Sequence, residues 1–161
     1  MNQFLMEKVN IKPVNVPVDM NSAAITGARI KMNTGDRVAI VCHMGDSSGA
    51  AVTFSLQQHD AAESGNSKAL SILNPYYHKK AALTVFTKVE PTVAASSYDL
   101  ASIFASDEGV VIFEVLSEDL DVTNGFYWLS LNVADSGAAK ILSANYLVHE
   151  CYNTPAHDIA L

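Results

Sequence analysis

Gly109-Val-Val-Ile-Phe-Glu-Val-Leu116, Phe126-Tyr-Trp-Leu-Ser-Leu-Asn-Val133 and Lys140-Ile-Leu-Ser-Ala-Asn-Tyr-Leu-Val-His-Glu-Cys151 together decide the fold. The first is an apolar run of strand length. In the second, Leu129, Leu131 and Val133 alternate with Ser130 and Asn132, and the third carries Ile141, Leu142, Ala144, Tyr146, Leu147 and Val148. Successive side chains of a strand point to opposite faces, so a period near two with β-branched and aromatic residues marks half-buried strands. The acidic loop from Ser117 to Gly125 and the break Ala134-Asp-Ser-Gly137 separate the runs, and Asn124-Gly125 has the composition of a hairpin turn. The pattern predicts three consecutive strands of an antiparallel meander.

Outward from this stretch the same signals recur. Ala23–Met32 and Asp36–His43 flank the turn Asn33-Thr34-Gly35, and Val38-Ala-Ile-Val-Cys42 is apolar enough for the centre of a sheet. Val52, Phe54 and Leu56 alternate with Thr53, Ser55 and Gln57, which predicts a half-buried strand. Gln58–Ser67 reads as a solvent loop, Leu83-Thr-Val-Phe86 as a strand, and Tyr98–Phe104 as a short strand or a helical turn. Turn signals fall about every ten residues and no long amphipathic helix interrupts them, so the expected class is all-β, an antiparallel, jelly-roll-like β-sandwich.

Residues 1–21 read as an extended N-terminal arm or an edge strand, and residues 22–161 as a single β-sandwich domain. Pro13 and Pro17 hold the first segment extended, while Val14, Val16 and Val18 alternate along it. One reading makes it the edge of the domain's own sheet. The other makes it an arm that adds to a neighbouring subunit, with main-chain pairing for affinity and alternate apolar anchors for fit. Phe4, Leu5, Met6, Val9 and Ile11 are the candidate partner-interface residues.

Composition narrows the classes. Of the 161 residues, 49% are hydrophobic and 17% charged, against roughly 25% charged in an average globular chain. So low a charge content means a large core, a surface rich in Ser, Thr, Asn and Ala, or a surface buried against other subunits. The formal charge of −7 lacks the basic footprint of a nonspecific nucleic-acid binder. No run approaches the roughly 18 apolar residues of a membrane-spanning helix. The N-terminus lacks the basic n-region and long apolar core of a signal peptide, so synthesis in a cytoplasm is expected. Cys42 and Cys151 lie in strand-like runs and read as buried free thiols, although spacing alone leaves a bridge between them open.

The stretch with the most chemical appearance is Gly45-Asp-Ser-Ser-Gly49, similar to the nucleophile segment of trypsin-like proteases and the first block of GDS-type esterases. A nucleophilic serine needs a histidine base oriented by an acid. Here only His43 precedes it, too closely, and a turn is the expected role. His43, His59, His78, His149 and His157 show no metal-ligand spacing, and Asp119-Leu-Asp-Val-Thr-Asn-Gly125 departs from the ligand positions of a calcium loop. No catalytic, cofactor-binding or metal residue is therefore assigned. Lys79-Lys80 beside Tyr76-Tyr77-His78 is a basic-aromatic cluster suited to a local interface.

Tyr76 to Pro155 resembles a group of small tailed-bacteriophage virion structural proteins, commonly encoded beside the major capsid protein. The matching segments are Val85-Phe-Thr-Lys-Val-Glu-Pro91, Asp107-Glu-Gly-Val-Val-Ile-Phe-Glu-Val115, Glu118-Asp-Leu-Asp-Val-Thr-Asn-Gly-Phe126, Leu131-Asn-Val-Ala-Asp135 and Ala144-Asn-Tyr-Leu-Val148. Members usually end in a more basic segment than His149-Glu-Cys-Tyr-Asn-Thr-Pro155. The resemblance implies a non-enzymatic head decoration or cement protein on the capsid exterior, made in the host cytoplasm. It implies the major capsid protein as partner and a homo-oligomer, dimer or trimer, with no direct nucleic-acid or membrane contact. A tail or neck protein is the alternative. In that case a carbohydrate- or receptor-binding sandwich would present Trp128, Tyr76 or Tyr77 on an aromatic platform.

Overall fold

The computed structural model describes residues 9–21 and 23–149. In chain order the strands are β1 (Val9–Asp19), β2 (Ile25–Thr26), β3 (Ile30–Lys31), β4 (Arg37–Met44), β5 (Thr53–His59) and β6 (Ser67–Ala69). There follow β7 (Tyr76–Lys80), β8 (Thr87–Val89), β9 (Ser97–Asp99), the helical turn α1 (Ala101–Phe104), β10 (Gly109–Leu116), β11 (Trp128–Val133) and β12 (Ile141–His149). They form two six-stranded antiparallel sheets. Sheet A runs β1-β12-β4-β10-β7-β8, and sheet B runs β2-β11-β5-β6, with β3 also on β11 and β9 also on β5.

Alternation sets which side of each strand is buried. Val38, Ile40, Cys42 and Met44 of β4, Val111, Phe113 and Val115 of β10, and Leu142, Ala144, Tyr146 and Val148 of β12 face inward from sheet A. Phe54 and Leu56 of β5 meet them from sheet B with Leu129, Leu131 and Val133 of β11. Phe113 sits in the middle, its ring centroid 5.5 Å from Phe54, 4.9 Å from Tyr98 and 5.8 Å from Tyr76. These tilted contacts join β5, β9, β7 and β10. Burial raises the Tyr98 hydroxyl to about 12 and raises the Cys42 thiol still further, so both stay protonated.

The two sheets are also joined by a hydrogen-bonded side chain. β2 and β3 flank one side of β11 but are separated by Gly27-Ala-Arg29, which interrupts the ladder. The buried Tyr146 hydroxyl of sheet A reaches into this gap, accepts from the Leu131 N–H at 3.0 Å and donates to the Ala28 carbonyl at 2.9 Å. Gly27 has to lie close for this to work. A Cβ there would fall 2.1 Å from the Leu131 oxygen and 2.6 Å from Val14 Cγ1. Ala28 N–H then donates to the Val14 carbonyl at 3.0 Å, tying the same corner to β1.

Several expectations are corrected. β10, β11 and β12 exist with nearly the expected bounds but do not form a meander: β10 and β12 both pair with β4 in sheet A, whereas β11 pairs with β5 in sheet B. Periodicity identifies a strand's buried face and carries no information about its neighbour. Asn124-Gly125 accordingly closes a 3-10 turn, Val122–Asn124, on the path between the sheets, with Gly125 at φ 84°. Leu83 to Phe86 is an exposed loop between β7 and β8 and not a strand. Gln58 and His59 are buried members of β5, so the solvent loop starts after them. The expected alternatives at Tyr98–Phe104 both occur, as β9 followed by α1. Cys42 is a buried free thiol, and Cys151 lies outside the described residues.

Replacing Tyr146 by Phe keeps the ring in the core but leaves a buried N–H and a carbonyl unpaired. Urea denaturation of that variant is expected to show a loss of about 1–3 kcal/mol with an unchanged m-value. A loss within error would mean that another group fills the gap in the ladder.

Candidate functional site

The outward side of sheet A is the largest departure from an ordinary solvated sheet. Antiparallel sheets normally present polar residues on their free face. Here register places Ile11, Leu147, Ala39 and Glu114 in one row across β1, β12, β4 and β10. The next row carries Pro13, Asn145, Val41, Ile112 and Tyr77, and a third carries Ser143, His43, Val110 and Lys79. The face is thus apolar at its centre and polar at its rim. At one end Val9, Arg37, Ala39, Glu114, Leu116, Leu147 and His149 line an open groove of about 340 Å³.

The same face continues past its edge. β7 and β8 are joined by Ala81-Ala-Leu-Thr-Val-Phe86, all exposed, with Val85 70%, Leu83 47% and Phe86 45% accessible. Lys79 points outward from β7, and its ammonium lies 5.5 Å from the centre of the Phe86 ring. Lys80 pairs with Asp107 at 2.7 Å, which ties the end of β7 to the turn before β10, while Lys88 pairs with Glu90 within one arm of the hairpin. An apolar tip on a braced hairpin has the composition of a protein contact rather than of a solvated turn.

Val9 and Ile11 lie on β1, opposite His149 and Leu147 of β12. Their main chain therefore pairs within the domain, while Ile11 leaves its side chain on the outward face, 48% accessible. Phe4, Leu5 and Met6 lie outside the described residues. The aromatic candidates do not share a platform. Tyr76 packs inward on Phe113 and Tyr98, Tyr77 lies on the outer face of sheet A, and Trp128 lies on the outer face of sheet B.

Ser47 is a structural hydroxyl. It donates to the Ala105 carbonyl at 2.6 Å and accepts from Lys140 Nζ at 3.3 Å. Lys140, at 1% accessibility, was not singled out from the sequence because a lone lysine before an apolar run resembles any surface lysine. Its Nζ also donates to the Gly45 carbonyl at 2.8 Å and the Asp107 carbonyl at 3.0 Å. Three acceptors match the three donors of an ammonium and leave no lone pair to take the Ser47 proton. Burial pushes the Lys140 pKa down, with Asp46 and Asp107 acting against it. The serine and lysine together join the ends of β4, β10 and β12.

His59 is the second buried polar group that the sequence did not reveal. Alternation directs it to the outer face of sheet B, where residues 60–66 fold over it. Arg29 holds that loop, donating to the carbonyls of Ala61 at 2.8 Å and Ser64 at 2.9 Å. The His59 ring lies 2.6 Å from the Ser67 hydroxyl and 2.8 Å from that of Ser130. Burial lowers its pKa, the Arg29 guanidinium lowers it further, and Asp60 raises it. Two of the three carboxylates of the acidic loop are likewise engaged. Asp119 accepts from Leu116 N–H and Asn74, and Asp121 from Lys68 and Asn124. Among the described residues no group of three or more His, Cys, Asp or Glu is arranged to hold a metal ion, and no helix is long and apolar enough to cross a membrane.

No family model, curated protein or solved structure matches the chain.

Lys140→Met is expected to leave the two carbonyls it binds unpaired and to lower stability by about 2–4 kcal/mol, whereas Ser47→Ala should lose about 1 kcal/mol. Urea midpoints of the two variants test that order, and equal losses would contradict the lysine-centred arrangement. The histidines give a pH signature. His59 and His78 both have lowered pKa values, so the unfolded chain takes up protons first as pH falls below about 6.5. Stability is fully present above that value and declines as pH falls toward the folded pKa values. The midpoint should fall between pH 7 and 5.5, and His59→Gln should flatten that slope. A midpoint that does not vary over this range would exclude the neutral, buried state of His59.

Proposed function

We propose that this chain is a non-enzymatic structural component of a tailed-bacteriophage virion, a head decoration or cement protein that binds the major capsid protein and stabilises the shell from outside. The observation that carries the reading is the β7–β8 hairpin, whose Leu83, Val85 and Phe86 stand in solvent while Lys80–Asp107 ties its β7 arm to the turn before β10. Part of it, Val85 to Val89, falls in the segment that resembles the virion proteins. Apolar anchors of this kind supply most of the affinity of a protein contact when a partner desolvates them.

The winding supports the same reading. β1-β12-β4-β10 lies against β2-β11-β5-β6, with β7 and β8 added at one edge, an order compatible with the jelly-roll-like winding expected from the sequence. Fold alone does not assign function, but a rigid two-sheet body suits a protein that links neighbouring subunits. An acidic chain on the shell exterior also stays clear of packaged nucleic acid. The hydrogen bonds that engage Ser47 and His59 within the fold support a role without a reaction.

Cryo-EM of intact virions carrying the chain is expected to show it on the capsid at contacts between shell subunits. Density confined to the tail, or absence from the particle, would overturn the proposal. With purified heads, Val85→Asp combined with Phe86→Asp should weaken binding by about tenfold or more while leaving the urea midpoint unchanged.

A further inference from the structure

The outer face of sheet A needs a different occupant from the hairpin tip, because it is broad, running across four strands, and grooved at one end. Its centre carries Leu147, Ala39, Val41, Ile112 and Val110 beside Asn145 and His43, so apolar side chains predominate where a free antiparallel sheet would carry polar ones. The charges on this face indicate the partner. Lys88 is paired with Glu90 and Lys79 lies over Phe86. Arg37 and Glu114 are both exposed, and neither takes part in an ion pair among the described residues. They are of opposite sign and lie on adjacent strands, since Arg37 is opposite Leu116 and Glu114 is opposite Ala39. This places them at diagonal corners of one four-residue box.

A face built for an unrelated partner has no need to contain both halves of a charge pair. A face that meets its own copy does, because a two-fold contact brings the same patch together from both sides and each group must find its complement there. We propose that the outer face of sheet A is the contact between two copies of this chain, packed face to face with Arg37 of each copy against Glu114 of the other. The two-fold axis then lies in the plane between the sheets and passes midway between the two residues. Ala39 and Leu116, the other diagonal of the box, fall near the axis and pack on their own counterparts. Sheets stacked in this way sit about 10 Å apart, a spacing that the outward Val and Ile side chains can fill.

Electrostatics divides the roles. Each copy carries a formal −7, so two copies repel at long range. The apolar rows supply the attraction, and the two reciprocal ion pairs fix the register. The inference goes beyond the virion reading and does not depend on it, because it concerns the purified chain alone.

Sedimentation equilibrium of the full chain is expected to give a dimer. Arg37→Glu alone and Glu114→Arg alone each place like charges together twice and should weaken the dimer by about tenfold or more. The double variant Arg37→Glu/Glu114→Arg restores both pairs and should return the dissociation constant to within about threefold of the original. Both side chains are exposed, so circular dichroism should show all three variants folded. If one is not, concentration-dependent protection of the Ile112 and Leu147 side chains from hydroxyl-radical labelling in the unmodified chain tests the same contact. A monomeric chain, single variants that dimerise normally, or a double variant no better than the singles would each overturn the proposal. Labelling of Ile112 and Leu147 that does not change with concentration would overturn it equally.

Discussion

The sandwich depends on a hydroxyl group that repairs a broken strand. Sheet B loses its edge ladder where the chain bends at Gly27-Ala-Arg29, and an unpaired N–H and carbonyl inside a protein would each cost more than an ordinary hydrogen bond returns. Tyr146, projecting from the opposite sheet, satisfies both. The bend also carries the chain between β1 and β4, so its cost and its repair occur at the corner where the two sheets are linked. A phenylalanine of the same shape would fill the core but leave the ladder open.

Polar groups likewise hold the ends of the sandwich, where the chain passes between the sheets and apolar burial is incomplete. At one end the Lys140 ammonium gathers carbonyls from the loops after β4 and before β10, while its main chain is held by Asp19 and Met20 at the end of β1. At the other, buried Asp36 accepts from Asn33 N–H, and Ser117 accepts from Gly35 N–H while donating its own N–H to the Asp36 carbonyl. The crossings that make the topology non-meandering are thus fixed by particular side chains rather than by turn type alone.

Strand identity was legible because half-buried strands record their burial in every second residue. Val52, Phe54 and Leu56, and Leu129, Leu131 and Val133, all face the core as their alternation predicts. Strand partners were not legible, because a face preference is the same whether the next strand lies beside or opposite. Leu83-Thr-Val-Phe86 misled for the opposite reason: its apolar residues are exposed, and composition cannot separate an exposed apolar surface from a buried one. Lys140 and His59 were hidden because a buried polar residue is defined by the acceptors around it, which come from distant parts of the chain. The candidate docking face became visible only when register placed Leu147, Ala39, Val41 and Ile112 side by side.

The margins of both sheets bear on what the molecule avoids. β1 carries Pro13 and Pro17 and shifts register against β12 twice, β8 and β6 are three residues long, and β2 and β3 are two residues each. A long, regular margin would be a template on which identical chains could zip together without limit, as in a cross-β fibre. Interrupted and shortened margins remove that route, leaving side-chain surfaces as the means of association. A two-fold contact through such a surface closes once it is matched, whereas a head-to-tail contact need not, so what this outline removes is the strand edge on which copies could add without limit.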